Sequence, residues 1–282
     1  MLGDPRTIID KEAIRENFSR AASRYDQWAE AQRRIARRLS QICPAAEGIA
    51  SVLELGCGTG IFTEHVRRLY PAAELVALDI APGMIDHCRR RWGHDPLATF
   101  VQADAESYLP PAPFDLICAS CSLQWFSDPD AAVRQMAACL RPGGRLALAV
   151  LVLGTAAELV ESYRAALGRP MPGLAFSSAE AWLDRLARSG LRLERQSIET
   201  VRLDFSDPFQ VLQSFKGLGA TFGRHRWSRP LSVGQLKRLL VEYQRRFATE
   251  RACVPLSYRV LYVLLTASSD KFVFAETWGD QR

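Results

Sequence analysis

The stretch VLELGCGTG, residues 52–60, sets Gly56, Gly58 and Gly60 directly after an apolar run. An apolar run closed by glycines and followed by a helical pattern is a strand, a tight turn and a helix start. That arrangement lets backbone approach a ligand closely. The spacing is Gly-x-Gly-x-Gly, not the Gly-x-Gly-x-x-Gly of dinucleotide folds. Glu54 precedes the glycines, and a carboxylate aimed at the turn would repel a pyrophosphate. It suits a cationic amino-acid end instead.

The rhythm continues C-terminally. ELVALD (74–79), ATFVQAD (98–104), FDLICAS (114–120) and GRLALAVLVL (144–153) read as further strands, with helices over 60–70, 82–92 and 129–140. Regular strand–helix alternation with apolar strands predicts an α/β fold, a doubly wound parallel sheet covered on both faces. After residue 153 the pattern changes. Helices are expected around 155–167 and 178–189, and LRLERQSIETVRLDF (191–205) alternates with period two as a half-exposed strand. Residues 207–250 read as helical, and SYRVLYVLLTAS (257–268) as a final strand. On the N-terminal side, residues 10–42 read as two amphipathic helices. The expected organisation is one domain: a helical cap (1–45), a cofactor-binding core (46–153), helices and a strand completing the sheet (154–206), a helical lid (207–252), and a last strand with tail (253–282).

Composition narrows the class. The chain has 282 residues, 48% hydrophobic and 24% charged, enough for a sizeable globular core. A net charge of +5 suits an acidic substrate or partner but is too small for a nucleic-acid arm. All but four of the 36 basic residues are arginine; the exceptions are Lys11, Lys216, Lys237 and Lys271. The seven cysteines are scattered, and Cys118 and Cys121 form a C-x-x-C inside an apolar run with no second pair. They read as buried thiols, and no metal site is expected. The N-terminal residues lack an apolar signal core and no run approaches a membrane span, which predicts a cytoplasmic protein without membrane contact.

Asp79 ends the second strand, roughly 20 residues after the glycines, where a ribose diol is gripped in related folds. Asp104 ends the third strand, placed to accept from an exocyclic amine. With Glu54, these acids describe a nucleoside joined to an amino acid without phosphates: S-adenosylmethionine. LELGCGTG, ALDIAPGMI, VQADAE and LRPGG resemble the class I methyltransferase motifs, in order and at their usual spacing, over about residues 50–152. The resemblance implies a seven-stranded, Rossmann-like sheet of order 3-2-1-4-5-7-6 with an antiparallel seventh strand. It also implies roles. Glu54, Gly56, Gly58 and Gly60 would face the methionine part and Asp79 the ribose. Ile80 and Met84 would flank the adenine, with Asp104 and Ala105 at its edge.

The outer segments FSRAASRYDQWAEAQRRIA (18–36), CSLQWFSDP (121–129), SFKGLGA (214–220) and VPLSY (254–258) resemble the malonyl-[acyl-carrier protein] O-methyltransferases of biotin synthesis. That resemblance spans about residues 10–267. It implies esterification of the free carboxyl of a malonyl thioester, so that the masked chain can be elongated toward pimelate. A carboxylate is already ionised at pH 7, so the chemistry needs positioning, a dry pocket and a countercharge rather than a base. Tyr25, Gln32, Gln124 and Trp125 are expected to wall the acceptor pocket, and the Lys216 ammonium to hold the malonyl carboxylate. His65, His87 and His94 read as surface residues; His225 is left open. Carrier proteins are acidic, so a basic rim is expected. Arg33, Arg34, Arg37 and Arg38 on one helix, and Arg224, Arg226 and Arg229 in GRHRWSR, are the candidates. The runner-up is methylation of a diffusible small-molecule carboxylate or coenzyme A ester. A nicotinamide oxidoreductase is opposed by Glu54, and a silent scaffold by the complete cofactor set.

Overall fold

A computed structural model describes residues 9–172, 176–220, 230–250 and 252–268. Seven strands form one sheet: β1 (Ser51–Leu55), β2 (Glu74–Asp79), β3 (Ala98–Gln102), β4 (Phe114–Ser120), β5 (Leu140–Leu151), β6 (Arg192–Phe205) and β7 (Val254–Thr266). Their order is β3-β2-β1-β4-β5-β7-β6. Strands β1 to β5 pair in parallel, and β7 runs antiparallel between β5 and β6. This is the class I methyltransferase sheet the motifs imply. The helices are α1 (Lys11–Ala21), α2 (Tyr25–Trp28), α3 (Glu30–Ile42), α4 (Ile61–Leu69), α5 (Pro82–Trp92), α6 (Pro129–Ala138), α7 (Ala157–Leu167), α8 (Ala179–Ala187), α9 (Pro208–Gly217) and α10 (Val233–Phe247).

All five residues of β1 are buried, and alternate side chains serve opposite faces of the sheet. Val52 joins a core with Leu39 of α3 and Phe62 and Val66 of α4. Leu53 and Leu55 join another with Val133 and Met136 of α6 and Trp182 of α8. Each such aliphatic side chain contributes about 1.5–3 kcal/mol on full burial. The apolar run before the glycines is therefore the middle of the molecule, and its C-terminal end is a fixed platform. Helix starts obey local rules. Asp128 accepts from the Ala131 N–H with Pro129 next in line, and Ser232 with Gln235 closes a capping box on α10.

Besides β5, which begins at Leu140 and takes in the expected Arg-Pro-Gly-Gly turn, three features differ from the sequence expectation. Residues 10–42 hold three helices, not two, because Arg24 leaves the helical region (φ −123°, ψ −1°). Tyr25 therefore starts a separate short helix instead of extending the face of α1. The last strand begins at Val254, upstream of the expected Ser257, and includes Pro255. Proline is tolerated there because only β6 pairs at that point; β5 joins from Val260 onward. Finally, α9 buttresses the cap. A Cβ on Gly217 would lie 2.2 Å from the Trp28 indole of α2, and one on Gly219 would lie 2.8 Å from the Asn17 carbonyl of α1.

Candidate active site

The C-terminal ends of β1, β2, β3 and β4 open onto one cavity, the expected place for a ligand in a doubly wound sheet. Glu54, Gly56, Gly58, Asp79, Ile80, Met84, Asp104 and Ala105 all line it. Gly60 does not. A Cβ at Gly60 would fall 2.9 Å from the Trp92 indole nitrogen, and one at Gly56 would fall 2.4 Å from Ser122 Cβ. Gly58 alone of the three has open space above it, with φ +56°. Two of the glycines thus let the turn pack against the protein, and the third leaves backbone bare to the cavity.

Asp79 organises that turn. Its Oδ2 accepts from the Gly58 N–H at 2.9 Å and its Oδ1 from the Ala81 N–H at 2.8 Å. Burial pushes its carboxyl up to about 6, while the two backbone bonds oppose the rise. Glu54 lies deeper, accepting a 2.7 Å bond from the Thr63 hydroxyl, and burial pushes it up to about 8. Neither carboxylate pairs with a lysine or arginine among the described residues. Two desolvated acids without a countercharge, beside bare glycine backbone, fit a cationic ligand carrying hydroxyls. S-Adenosylmethionine meets that description at its ammonium, its sulfonium and its ribose.

The opposite wall comes from the cap. Lys11, Ile14 and Phe18 of α1, Tyr25 of α2, and Gln32 and Ala36 of α3 face the cavity. Trp125 enters from the turn after β4, and its ring meets Phe18 edge-on at 5.4 Å and 81°. Desolvation raises the Tyr25 phenol well above its ordinary value, with Cys121 and Asp79 adding to the effect, so it remains a hydrogen-bond donor. The Gln32 Oε1 is buried and has no partner. Cys121 also lines the cavity, and burial lifts its thiol to about 12; Cys118 is buried and lifted for the same reason. Both are therefore unreactive thiols.

Two expected acceptor residues are placed elsewhere. The Gln124 amide donates to the Cys121 carbonyl at 2.6 Å, and its side chain is not in the cavity wall. Lys216 is exposed in the last turn of α9 and does not reach the cavity. The glycines that follow it serve cap packing, not a close approach to substrate. No described residue of 207–252, the expected lid, lines the cavity; α1 and α2 cover it instead. His65, His87 and His94 are also absent from the wall. Arg224, His225, Arg226 and Arg229 lie outside the described residues. Arg33, Arg34 and Arg37 are exposed on α3, but Arg33 and Arg34 share Glu30, and Arg38 pairs with Glu199. Sequence reasoning passed over Lys11, Phe18 and Phe126 as wall residues. Phe18 carried only the signal of an apolar helix face, Phe126 stood unremarked within CSLQWFSDP, and the rarity of lysine singled out Lys11 without placing it.

A family model described as a methyltransferase domain matches residues 52–144. The chain is 36% identical to the malonyl-[acyl-carrier protein] O-methyltransferase of Enterobacter lignolyticus over 260 residues, covering 92% of this chain and 98% of that protein. Among solved structures it resembles the YcgJ protein of Bacillus subtilis, with a TM-score of 0.58, 16% identity, and coverage of 83% and 97%. It also resembles the N-methyltransferase NodS of Bradyrhizobium japonicum in complex with S-adenosylhomocysteine, with a TM-score of 0.50, 17% identity, and coverage of 90% and 98%. At such identities the structural likeness establishes the fold alone.

Proposed function

We infer that the chain, which belongs to the malonyl-[acyl-carrier protein] O-methyltransferase family, methylates the free carboxyl of a malonyl thioester carried on acyl-carrier protein. The observation that carries this reading is the contrast between the two sides of one cavity. Unpaired buried acids, Glu54 and Asp79, stand on the side suited to a cation; on the other stand aromatic rings and neutral polar groups, and the one lysine there, Lys11, is already neutralised by Asp104 and Glu106. When bound, S-adenosylmethionine supplies a sulfonium methyl that an ionised carboxylate can take without any proton transfer. Glu54 and the Gly56–Gly58 turn hold the methionine part, Asp79 the ribose, and Ile80, Met84, Asp104 and Ala105 the adenine.

The chain's remaining work is orientation. Tyr25 donates a hydrogen bond through its phenolic O–H to the malonyl carboxylate, and the Gln32 amide N–H groups donate to it as well. Neutral donors fix an oxygen with less loss of nucleophilicity than a tight ion pair with Lys216 would cause. Trp125, Phe18 and Phe126 keep water from the reacting oxygen. The product ester, uncharged at its end, primes pimeloyl assembly for biotin. Arg33 and Arg37 on α3 are the described candidates for the rim that receives the acidic carrier; Arg224, Arg226 and Arg229 are candidates from the sequence alone. No helix of the described residues is long and apolar enough to cross a membrane. We place the protein in the cytoplasm, where its carrier substrate is made.

Mass spectrometry of malonyl-carrier protein incubated with the enzyme and S-adenosylmethionine tests the reading. One added methyl on the acyl chain is expected. Methylation of malonyl-coenzyme A with the carrier form untouched would instead favour a diffusible acceptor.

A further inference from the structure

Lys11 is one of four lysines in a chain that otherwise uses arginine. Its ammonium sits between the Asp104 and Glu106 carboxylates at the edge of the cavity, bonded to both. Burial opposes the charge, but the bonds to Asp104 and Glu106 outweigh it and raise the lysine above its ordinary value. A compact ammonium fits between two converging carboxylates where a planar guanidinium would not. The other end of α1 is held differently. The Ser19 hydroxyl accepts from the Gly83 N–H at 3.0 Å, and a Cβ on Gly83 would lie 2.5 Å from the Ser19 carbonyl. So α1 is packed closely onto the start of α5 at its C-terminal end. At its N-terminal end Lys11 ties it to the sheet.

Glu106 has further duties. Its carboxylate accepts from the Ser127 N–H at 3.0 Å and the Asp128 N–H at 2.7 Å. Those residues end the turn that carries Trp125 and Phe126 into the cavity. Phe18 of α1 meets Trp125 from the other side. One ion-pair cluster therefore joins the cap helix, the turn bearing the aromatic wall, and the carboxylate at the adenine end.

We propose that Lys11 is a positioning residue for the cofactor: shared by Asp104 and Glu106, it latches α1 across the adenine end of the cavity and sets how fast the adenosyl product leaves. This rests on the cofactor half of the proposed function and is independent of the acceptor. The latch is the end of α1 that can open, because Lys11 and Asp104 are each about a third exposed, although Glu106 is more buried, whereas the other end is backbone packed onto backbone. Opening pivots at Ser19 and Gly83 and uncovers Asp104.

The test is stopped-flow release of S-adenosylhomocysteine, with hydrogen exchange measured on the ligand-free chain. In Lys11→Met the off-rate should rise at least tenfold. Exchange should quicken in residues 11–21 while the strands stay protected. The KM for S-adenosylmethionine should rise by a larger factor than that for the malonyl thioester, whose pocket shares Phe18 with α1. Lys11→Arg, with the charge restored but the fit imperfect, should fall between the two. An unchanged off-rate in Lys11→Met overturns the proposal. So does faster exchange throughout the sheet, which would make Lys11 a stabiliser of the fold. A wild-type chain that fails to bind S-adenosylhomocysteine at all would sink the cofactor reading itself, and the latch with it.

Discussion

Glu54 has one hydroxyl partner and no countercharge, so in the ligand-free chain it titrates far above an ordinary carboxyl. Its pKa rises from 4.5 to about 8, and the cause is desolvation. The folded state then holds a proton that the unfolded chain gives up. Its contribution to stability is complete below about pH 4.5 and is lost as the pH rises through about 8. Denaturation midpoints of the ligand-free protein should fall across that window, and Glu54→Gln should flatten the slope. A bound cation reverses the balance by favouring the carboxylate. Cofactor binding near pH 7 should therefore expel a sizeable fraction of about one proton. Calorimetry in buffers of different ionisation heat measures this directly; no buffer dependence would remove Glu54 from the cation's surroundings. Asp79 has two jobs. Asp79→Ala should weaken cofactor binding by about 1.5–3 kcal/mol, the scale of a charge-assisted hydrogen bond. It should also cost about 1–3 kcal/mol of stability, since the Gly58 and Ala81 N–H groups lose their acceptor. Urea melts and titrations on one sample separate the two effects, and a mutant with intact affinity would take Asp79 off the ribose. These acids were legible in the sequence because strand ends are countable from apolar runs. The exposed position of Lys216 was not legible, because spacing says nothing about which way the last turn of a helix faces.

At the scale of elements, the sheet was legible almost strand for strand. Buried parallel strands must be apolar on both faces, and that requirement is written locally. The cap was not. The break at Arg24 and the course of α2 answer to Trp28 packing over Gly217, almost two hundred residues away in the chain. Gly217→Ala tests that contact. A methyl placed 2.2 Å from the indole forces α2 outward. The cost should be about 1–3 kcal/mol, as for overpacking elsewhere. The displacement should reach Tyr25, which opens the same short helix, and lower kcat/KM for malonyl-carrier protein by more than the loss of folded protein explains. Near-normal turnover in a folded Gly217→Ala protein would show that α2 does not position Tyr25 for the acceptor.

For the molecule as a whole, the mild positive charge becomes informative only after pairing is considered. Many exposed arginines of the described residues are already matched: Arg33 and Arg34 lean on Glu30, Arg188 on Asp130, and Arg245 on Glu242. Arg37 is exposed on α3 and makes no ion pair among the described residues. Arg33 also donates to the Asp26 carbonyl of α2 at 2.6 Å, which holds its charge against the cap. If this face receives an acidic carrier, association depends on long-range attraction that salt screens within several Å at about 0.5 M. Raising salt to that level should increase the apparent KM for malonyl-carrier protein steeply, with little change in kcat. Arg37→Glu should reproduce much of that increase at low salt and blunt its further dependence on salt. Malonyl-coenzyme A, which presents the same acyl group without a protein surface, should respond far less to Arg37→Glu. Equal effects of the mutation on both thioesters would mean that Arg37 acts on the acyl end or the fold, and the docking face would have to be sought elsewhere.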